Sequence, residues 1–345
     1  MRIIDLRSDT TTKPTREMLD AMYRAEVGED NYGEDPTANQ LQELAAEMVG
    51  KEASLFLPTG TMCNQIAILT HCQRGDEMIC DDAAHTFIWE RCGPAVISSV
   101  LVRSIPSDKG VLIPAKVRAV LRSKGSAPRS RLLWIENTHC WHGGTVTSVQ
   151  GMNELCQLAH ENDVRVHVDG ARIFNAALAL GVRVPTLAAS VDSLMFCLSK
   201  GLCCPAGSML TGSKDFIEEA KYYRKLMGGQ MRQVGYLAAA GIVALKTMVE
   251  RLHEDHEKAT MLADGLKQIQ GIKLDMERVQ TNMVIFDISS LNMGAGKFLS
   301  ELKGHGVLAI AYTDSIIRMV PTRHTSFEDV KYTITAVEKC VRNNH

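Results

Sequence analysis

The chain lacks an excess of charge of either sign: 38 basic and 40 acidic residues leave a formal net charge of −2 over 345 residues. No basic stripe interleaved with aromatics stands out, so nucleic acid is not expected as a partner. A long hydrophobic run is missing too. The most apolar stretch, Val234-Gly-Tyr-Leu-Ala-Ala-Ala-Gly-Ile-Val-Ala-Leu245, is too short to span a bilayer and continues into the charged segment Glu250 to Lys258. It reads as a buried core helix, and no membrane association is expected. The first residues, Met1-Arg-Ile-Ile-Asp-Leu-Arg-Ser-Asp9, carry acids early and no apolar h-region, so a secretory signal is not expected. Cysteine is not scarce, but the ten are scattered with no Cys-x-x-Cys pair. Several sit inside apolar runs, where a thiol behaves as a small hydrophobe, and a reducing interior is expected: the cytoplasm, or an organelle matrix had a transit segment been removed. The histidine pairs His139-Cys-Trp-His142 and His253-Glu-Asp-His256 have no third and fourth ligand at a recognisable spacing, so no metal is expected. Low-complexity segments and internal repeats are absent.

What remains is the pattern of a globular chain of two lobes, since single cores stop growing near roughly 250 to 300 residues. From about residue 50 to about 215, apolar strands alternate with helical segments, the signature of a mostly parallel sheet covered on both faces. The strands are expected at Ala53 to Leu57, Glu77 to Cys80, Val100 to Ile105, Arg131 to Glu136, Arg165 to Val168, Ser193 to Cys197 and Ser208 to Thr211. Between them fall amphipathic helices such as Ile113 to Ser123, with Pro114 in its first turn, and Val149 to Asn162. One long helix, Arg232 to Gln270, is expected to link the lobes. The C-terminal lobe is expected to be a small α+β unit, with strands at Ile272 to Leu274, Met283 to Ile288, Val307 to Ala311 and Ile316 to Val320, and helices at Gly296 to Lys303 and Ser326 to Asn343. The domains are accordingly drawn at 1–245, with an N-terminal arm, and 246–345.

Two charged residues end buried apolar runs: Asp169 in Arg165-Val-His-Val-Asp-Gly-Ala-Arg172, and Lys200 in Ser193-Leu-Met-Phe-Cys-Leu-Ser-Lys-Gly201. Carboxyl ends of such strands are where open α/β sheets bind ligands. One chemistry needs both residue types. A lysine amine forms a Schiff base with pyridoxal phosphate, and an aspartate opposite the pyridine nitrogen keeps it protonated, so that the ring accepts carbanion electrons. Leu55-Phe-Leu-Pro-Thr-Gly-Thr-Met-Cys-Asn-Gln65 reads as strand, Thr-Gly-Thr turn and helix, which suits either a phosphate at the helix N-terminus or ordinary capping. His85, after the next strand, is placed either to stack on a planar ring or as a satisfied loop residue. Arg172 is placed to reach the ring oxygen or to make a helix-start salt bridge.

The segments Asp5-Leu-Arg-Ser-Asp-Thr-Thr-Thr-Lys-Pro-Thr15, Asn31-Tyr-Gly-Glu-Asp-Pro-Thr37, Glu136-Asn-Thr-His139, His167-Val-Asp-Gly-Ala-Arg172, Phe196-Cys-Leu-Ser-Lys-Gly201, Gly228-Gly-Gln-Met-Arg-Gln233 and Thr281-Asn-Met-Val284 together resemble the low-specificity L-threonine aldolases. The resemblance runs in order from residue 5 to about 335. It implies a fold-type-I pyridoxal 5′-phosphate enzyme, of the aspartate aminotransferase fold type, with a mostly parallel seven-stranded sheet in its large domain. By that resemblance Lys200 carries the cofactor, Asp169 faces its pyridinium nitrogen, Arg172 bonds the ring oxygen and His85 stacks on the ring. Gly60 and Thr61 cradle the phosphate, and Arg232 reaches a site shared with a neighbouring subunit. Ser8, Arg318 and Tyr32 contact the substrate, the first two as a carboxylate clamp, while His85 and His139 position or deprotonate the β-hydroxyl. The implied reaction is retro-aldol cleavage of L-threonine and L-allo-threonine to glycine and acetaldehyde, a step of threonine catabolism and glycine supply, by a homotetramer built of dimers. The other readings are a different reaction of the same cofactor (transamination, racemisation or β-elimination) or a non-catalytic relative. Cys140-Trp-His-Gly-Gly144 departs from the Asn-Gly that commonly follows the Glu-Asn-Thr-His motif, which bears on the aldehyde side of the pocket.

Overall fold

The protein is represented by a computed structural model that describes residues 3–122, 125 and 128–342. Its strands in chain order are β1 (Ile4–Asp5), β2 (Ala53–Leu57), β3 (Glu77–Asp81), β4 (Leu101–Ile105), β5 (Ser130–Glu136), β6 (Arg165–Asp169), β7 (Ser193–Cys197), β8 (Ser208–Gly212), β9 (Val284–Asp287), β10 (Val307–Leu308), β11 (Ile310–Ala311) and β12 (Ile316–Met319). The chain divides into two compact units. One comprises Lys13–Trp141 and Val146–Val249, the other Met1–Thr12, His142–Thr145 and Glu250–His345.

The first unit holds a seven-stranded sheet in the order β2-β8-β7-β6-β5-β3-β4. All neighbours are parallel except β8, which runs antiparallel to both β7 and β2. Every residue of β3, β7 and β8 is buried, which is why these strands read as continuous apolar runs without alternation. On one face the helices Gly60–His71 and Lys214–Leu226 close a core of Leu55, Leu57, Ile66, Met195, Leu210 and Ile217. The helices Pro36–Val49 and Val149–His160 also pack on the sheet, the first against β2 and β8, the second against β6. Ser148 caps the latter by accepting the Gly151 N–H at 3.1 Å. Each fully buried Leu or Ile here contributes about 1.5–3 kcal/mol by leaving water, before the entropy of ordering it.

The second unit is built on its own core of Phe286, Phe298, Leu262, Leu266, Ile317 and Val337. Its antiparallel sheet has the order β11-β12-β9. A second, two-stranded sheet pairs β1 with β10 in parallel, Ile4 opposite Val307. Ile4 and Leu6 both enter this core, so the N-terminal arm belongs to the C-terminal unit and not to the large domain as drawn from the sequence.

Three expected elements are corrected. The helix drawn from Arg232 to Gln270 is two helices, Gly235–Thr247 and Leu252–Lys267. The second has its own start signal: Glu254 and Asp255 stand in its first turn, complementing the helix dipole, and the Arg251 guanidinium reaches back to Asp255 at 2.7 Å. The run Val307 to Ala311 is two strands in different sheets. The run Ile272 to Leu274 makes only an isolated bridge, Lys273 with Asp287. Two expected helix ends, Ser123 and Asn343, lie outside the described residues. Among the described residues no helix is long and apolar enough to cross a membrane.

Candidate active site

The carboxyl ends of the parallel strands in the first unit surround a cavity of about 210 Å³. Lys200, Asp169, Arg172, His85, Gly60 and Thr61 all line it, so six residues singled out in the sequence meet at one place. A larger cavity, of about 590 Å³, opens at the opposite ends of β5 and β6, beside Arg131 and Arg165. Its charges are largely answered within the protein: Arg165 pairs with Asp192 at 2.8 Å, and the Lys51 ammonium donates to the carbonyls of Ala188 and Val191 at 2.8 and 2.6 Å. The smaller cavity holds the candidate site residues.

Asp169 is the last residue of β6 and is 3% exposed. Its Oδ1 accepts the Ala171 N–H at 3.1 Å and its Oδ2 accepts Asn64 Nδ2 at 2.8 Å, which fixes the carboxylate plane. Gly170, next in the chain, must be glycine because a Cβ there would lie 2.8 Å from the Met195 carbonyl oxygen. Lys200 follows β7 by three residues, in a turn closed by Cys203 N–H donating to the Lys200 carbonyl at 2.9 Å. Arg172 precedes the helix Ile173–Leu180 and is 6% exposed.

The phosphate-type end is the start of the helix Gly60–His71. Thr59 caps it by accepting the Met62 N–H at 3.2 Å, which leaves the N–H groups of Gly60 and Thr61 ahead of the first intrahelical acceptor. Such a terminus suits an anion through both its N–H groups and its dipole. Gly60 lets this helix end sit directly on β7: a Cβ there would be 2.9 Å from Cys197 Sγ and 3.0 Å from Met195 Cε.

His85 opens a short helix after β3. Its N–H donates to Glu136 Oε2 at 2.7 Å, and its Nδ1 lies 3.0 Å from Glu90 Oε1. Burial pushes the imidazole pKa down, but the hydrogen bond to Glu90 and the charges of Asp169, Glu136 and Glu90 outweigh it and raise the value to about 9. His139 does not line the cavity. It is 1% exposed, with Nε2 3.0 Å from Asp81 Oδ1 and 3.9 Å from Glu136 Oε2. Burial lowers its pKa while Glu136 and Asp81 raise it, for a net upward shift.

Tyr32 and Arg232 are also outside the lining. Tyr32 is 73% exposed, and Arg232 is exposed beside Glu29, 3.4 Å away. They share one surface: Asp30 N–H donates to the Arg232 carbonyl at 3.1 Å, and Gln230 Nε2 to Asn31 Oδ1 at 2.7 Å. Ser8 and Arg318 belong to the second unit. Ser8 Oγ caps the turn Asp9–Thr11, accepting the Thr10 N–H at 3.2 Å. The Arg318 guanidinium donates to the Arg7 carbonyl at 2.9 Å and to Tyr312 Oη at 2.8 Å, which brings it next to Ser8 in the backbone.

Sequence reasoning missed Asn64, Glu90 and Tyr312. Asn64 stands four residues after Gly60, hence on the same helix face, and was open to discovery on that ground. Glu90 meets His85 five residues before it as well as the distant Asn64 and Gln65, and Tyr312 meets Arg318 six residues on.

A strand-end lysine and aspartate facing one helix N-terminus, on a sheet of this order, define a fold-type-I α/β enzyme. The sequence profile of the beta-eliminating lyase family matches residues 5–289. Low-specificity L-threonine aldolase 1 of Arabidopsis thaliana is 42% identical, covering 99% of this chain and 97% of that protein. The low specificity L-threonine aldolase of Escherichia coli (strain K12) is 43% identical, covering 95% of this chain and 96% of that protein. Among solved structures, the threonine aldolase of Leishmania major superposes with a TM-score of 0.83 at 19% identity, covering 98% of this chain and 99% of that one, which shows a shared fold. The chain belongs to the low-specificity L-threonine aldolase family.

Proposed function

We propose that this protein binds pyridoxal 5′-phosphate in the 210 Å³ cavity and cleaves L-threonine and L-allo-threonine, with other β-hydroxy-α-amino acids, to glycine and the matching aldehyde. The observation that carries the reading is the meeting of Lys200, Asp169, Arg172, His85 and the Gly60–Thr61 helix start on one cavity. The donor set fits the group. A helix N-terminus takes the phosphate, a buried carboxylate held by two donors faces the ring nitrogen, and an amine stands within the same walls.

When bound there, the cofactor supplies an electron sink for the charge left at Cα. Lys200 would be the residue that holds the cofactor covalently through its amine. Asp169 keeps the ring nitrogen protonated, and Asn64 and the Ala171 N–H hold the carboxylate to that task. By the family resemblance Arg318 and Ser8 would bind the substrate carboxylate, a task for which a planar guanidinium is suited. His85, a cation at neutral pH, covers the ring and orients acceptor oxygens near it. His139, buried against Asp81, acts on the hydroxyl only from behind Glu136.

The same reading makes the protein a cytoplasmic homotetramer of two dimers, with Tyr32 and Arg232 serving a neighbour's site. Their exposure supports this, as do the exposed apolar side chains Phe87, Trp89, Val96 and Leu101. Sedimentation of a fully active monomer would contradict it. The activity is tested by product analysis after L-allo-threonine is added to cofactor-loaded enzyme. Glycine and acetaldehyde are expected; a keto acid, a D-amino acid or ammonia would move the assignment to another reaction of the same cofactor.

A further inference from the structure

Glu90 stands just after the helix His85–Ile88, and its side chain is 1% exposed. Three side-chain donors and the His85 ring nitrogen converge on it. Oε1 lies 3.0 Å from His85 Nδ1 and accepts Asn64 Nδ2 at 2.7 Å; Oε2 accepts Gln65 Nε2 at 2.8 Å and Thr86 Oγ1 at 3.4 Å. Asn64, Gln65 and Thr86 donate to both oxygens, so Glu90 is placed to accept from His85 Nδ1 as well. Of these four neighbours His85 alone can carry charge, and a charged partner is what a buried acid requires.

Asn64 extends the arrangement. The two hydrogens of its Nδ2 go to two carboxylates, Glu90 Oε1 at 2.7 Å and Asp169 Oδ2 at 2.8 Å. One amide thus joins the group over the ring to the group at the ring nitrogen. We propose that Glu90 is a positioning residue that holds His85 as an Nδ1-protonated cation against the cofactor, and that Asn64 couples this pair to Asp169. The proposal rests on reading the cavity as a pyridoxal-phosphate site.

The charges around His85 come from three elements. Glu90 faces it from the segment after its own helix, Glu136 from the end of β5 and Asp169 from the end of β6; Lys200 and Arg172 line the same cavity. The three carboxylates outweigh burial and set the imidazole near 9. Glu136 meets the backbone N–H of His85, not its ring, so Glu90 is the partner that selects the tautomer. With the cofactor bound, a cationic His85 and Asp169 would both favour the charge left at Cα.

The test is an NMR titration of the ¹⁵N-labelled His85 ring, assigned with His85→Gln, in apo and cofactor-loaded protein. Wild type is expected to stay protonated on both nitrogens through pH 8. Glu90→Gln is expected to lower the midpoint to 7 or below, roughly a 100-fold loss in proton affinity for two units, and Glu90→Asp to recover part of it. The alkaline limb of kcat/KM should move with the midpoint, which a purely structural role would not produce. A wild-type midpoint at or below the ordinary ~6.5, or an unchanged midpoint in Glu90→Gln, overturns the proposal. If Glu90→Gln does not fold, the wild-type titration and Glu90→Asp decide it. Absence of a Lys200-dependent visible-edge absorption band would overturn the cofactor reading instead, while the apo titration would still report on Glu90.

Discussion

Gly60→Ala tests how tightly the phosphate-type end of the site is built. The added Cβ would stand 2.9 Å from Cys197 Sγ and 3.0 Å from Met195 Cε, both on buried β7. The clash is with side-chain ends and not with backbone, so the helix start rides away from the sheet by a few tenths of an ångström or the sulfur groups turn. Overpacking of this kind costs about 1–3 kcal/mol. Helix propensity works the other way, since alanine is favoured over glycine by about 0.8–1 kcal/mol in a helix interior. Any loss is therefore from packing. If half of that strain is released when the phosphate is absent, cofactor affinity falls about 2- to 12-fold, at 1.4 kcal/mol per decade. Titration of apo protein with pyridoxal phosphate gives the Kd directly. Cys197→Ala in the Gly60→Ala background removes the nearer atom and should recover most of the loss, a coupling that a double-mutant cycle isolates. A Gly60→Ala protein that binds the cofactor within twofold of wild type would refute the argument for the close-packed helix start.

Further outcomes follow from other parts of the molecule. Arg318→Ala should raise KM for L-allo-threonine about 10- to 100-fold, as expected for loss of charge-assisted hydrogen bonds worth about 1.5–3 kcal/mol; unchanged KM in steady-state kinetics would remove Arg318 from the clamp. His85 is raised to about 9 when folded, so its contribution to stability is complete below the unfolded value of ~6.5 and is lost as pH rises through 9. Thermal midpoints of apo protein should therefore fall between pH 7 and 9.5, and fall less in Glu90→Gln. His71 and His256 are held down to about 4, in each case by burial first. The unfolded chain takes up their protons earlier, so stability drops as pH falls from 6.5 to 4, and His71→Gln should show a shallower acid slope by denaturant titration.

Six of the seven strands of the large sheet were legible because their burial leaves short apolar runs, β4 being mostly unburied, and Asp169 at the end of β6 and Lys200 three residues past β7 stood out against them. The residues that share the cavity were legible for the same reason: strand ends and the first helix turn place Asp169, Lys200 and Gly60 by local geometry alone. What depended on distant partners was not. Glu90 meets Asn64 across 26 residues of chain, and its role appears only when the helix Gly60–His71 is laid on the sheet. The place of the N-terminal arm was not legible either: Ile4 and Leu6, on either side of Asp5, are both buried beside β10, a strand some 300 residues away. The break between Thr247 and Leu252 carries neither proline nor glycine, so apolar periodicity ran through it; Glu254 and Asp255 were the signal of a new start. His139 lay in a motif that resembles the family's, but its 1% exposure and its contact with Asp81 were matters of packing.

The central claim is that Lys200 carries pyridoxal phosphate in the cavity it shares with Asp169. The most direct measurement is borohydride reduction of the cofactor-loaded protein followed by peptide mass mapping. The account predicts one phosphopyridoxyl group per chain, on Lys200, with loss of the visible-edge band, and none in Lys200→Ala. Label on another lysine, or an unlabelled protein after loading, would contradict it.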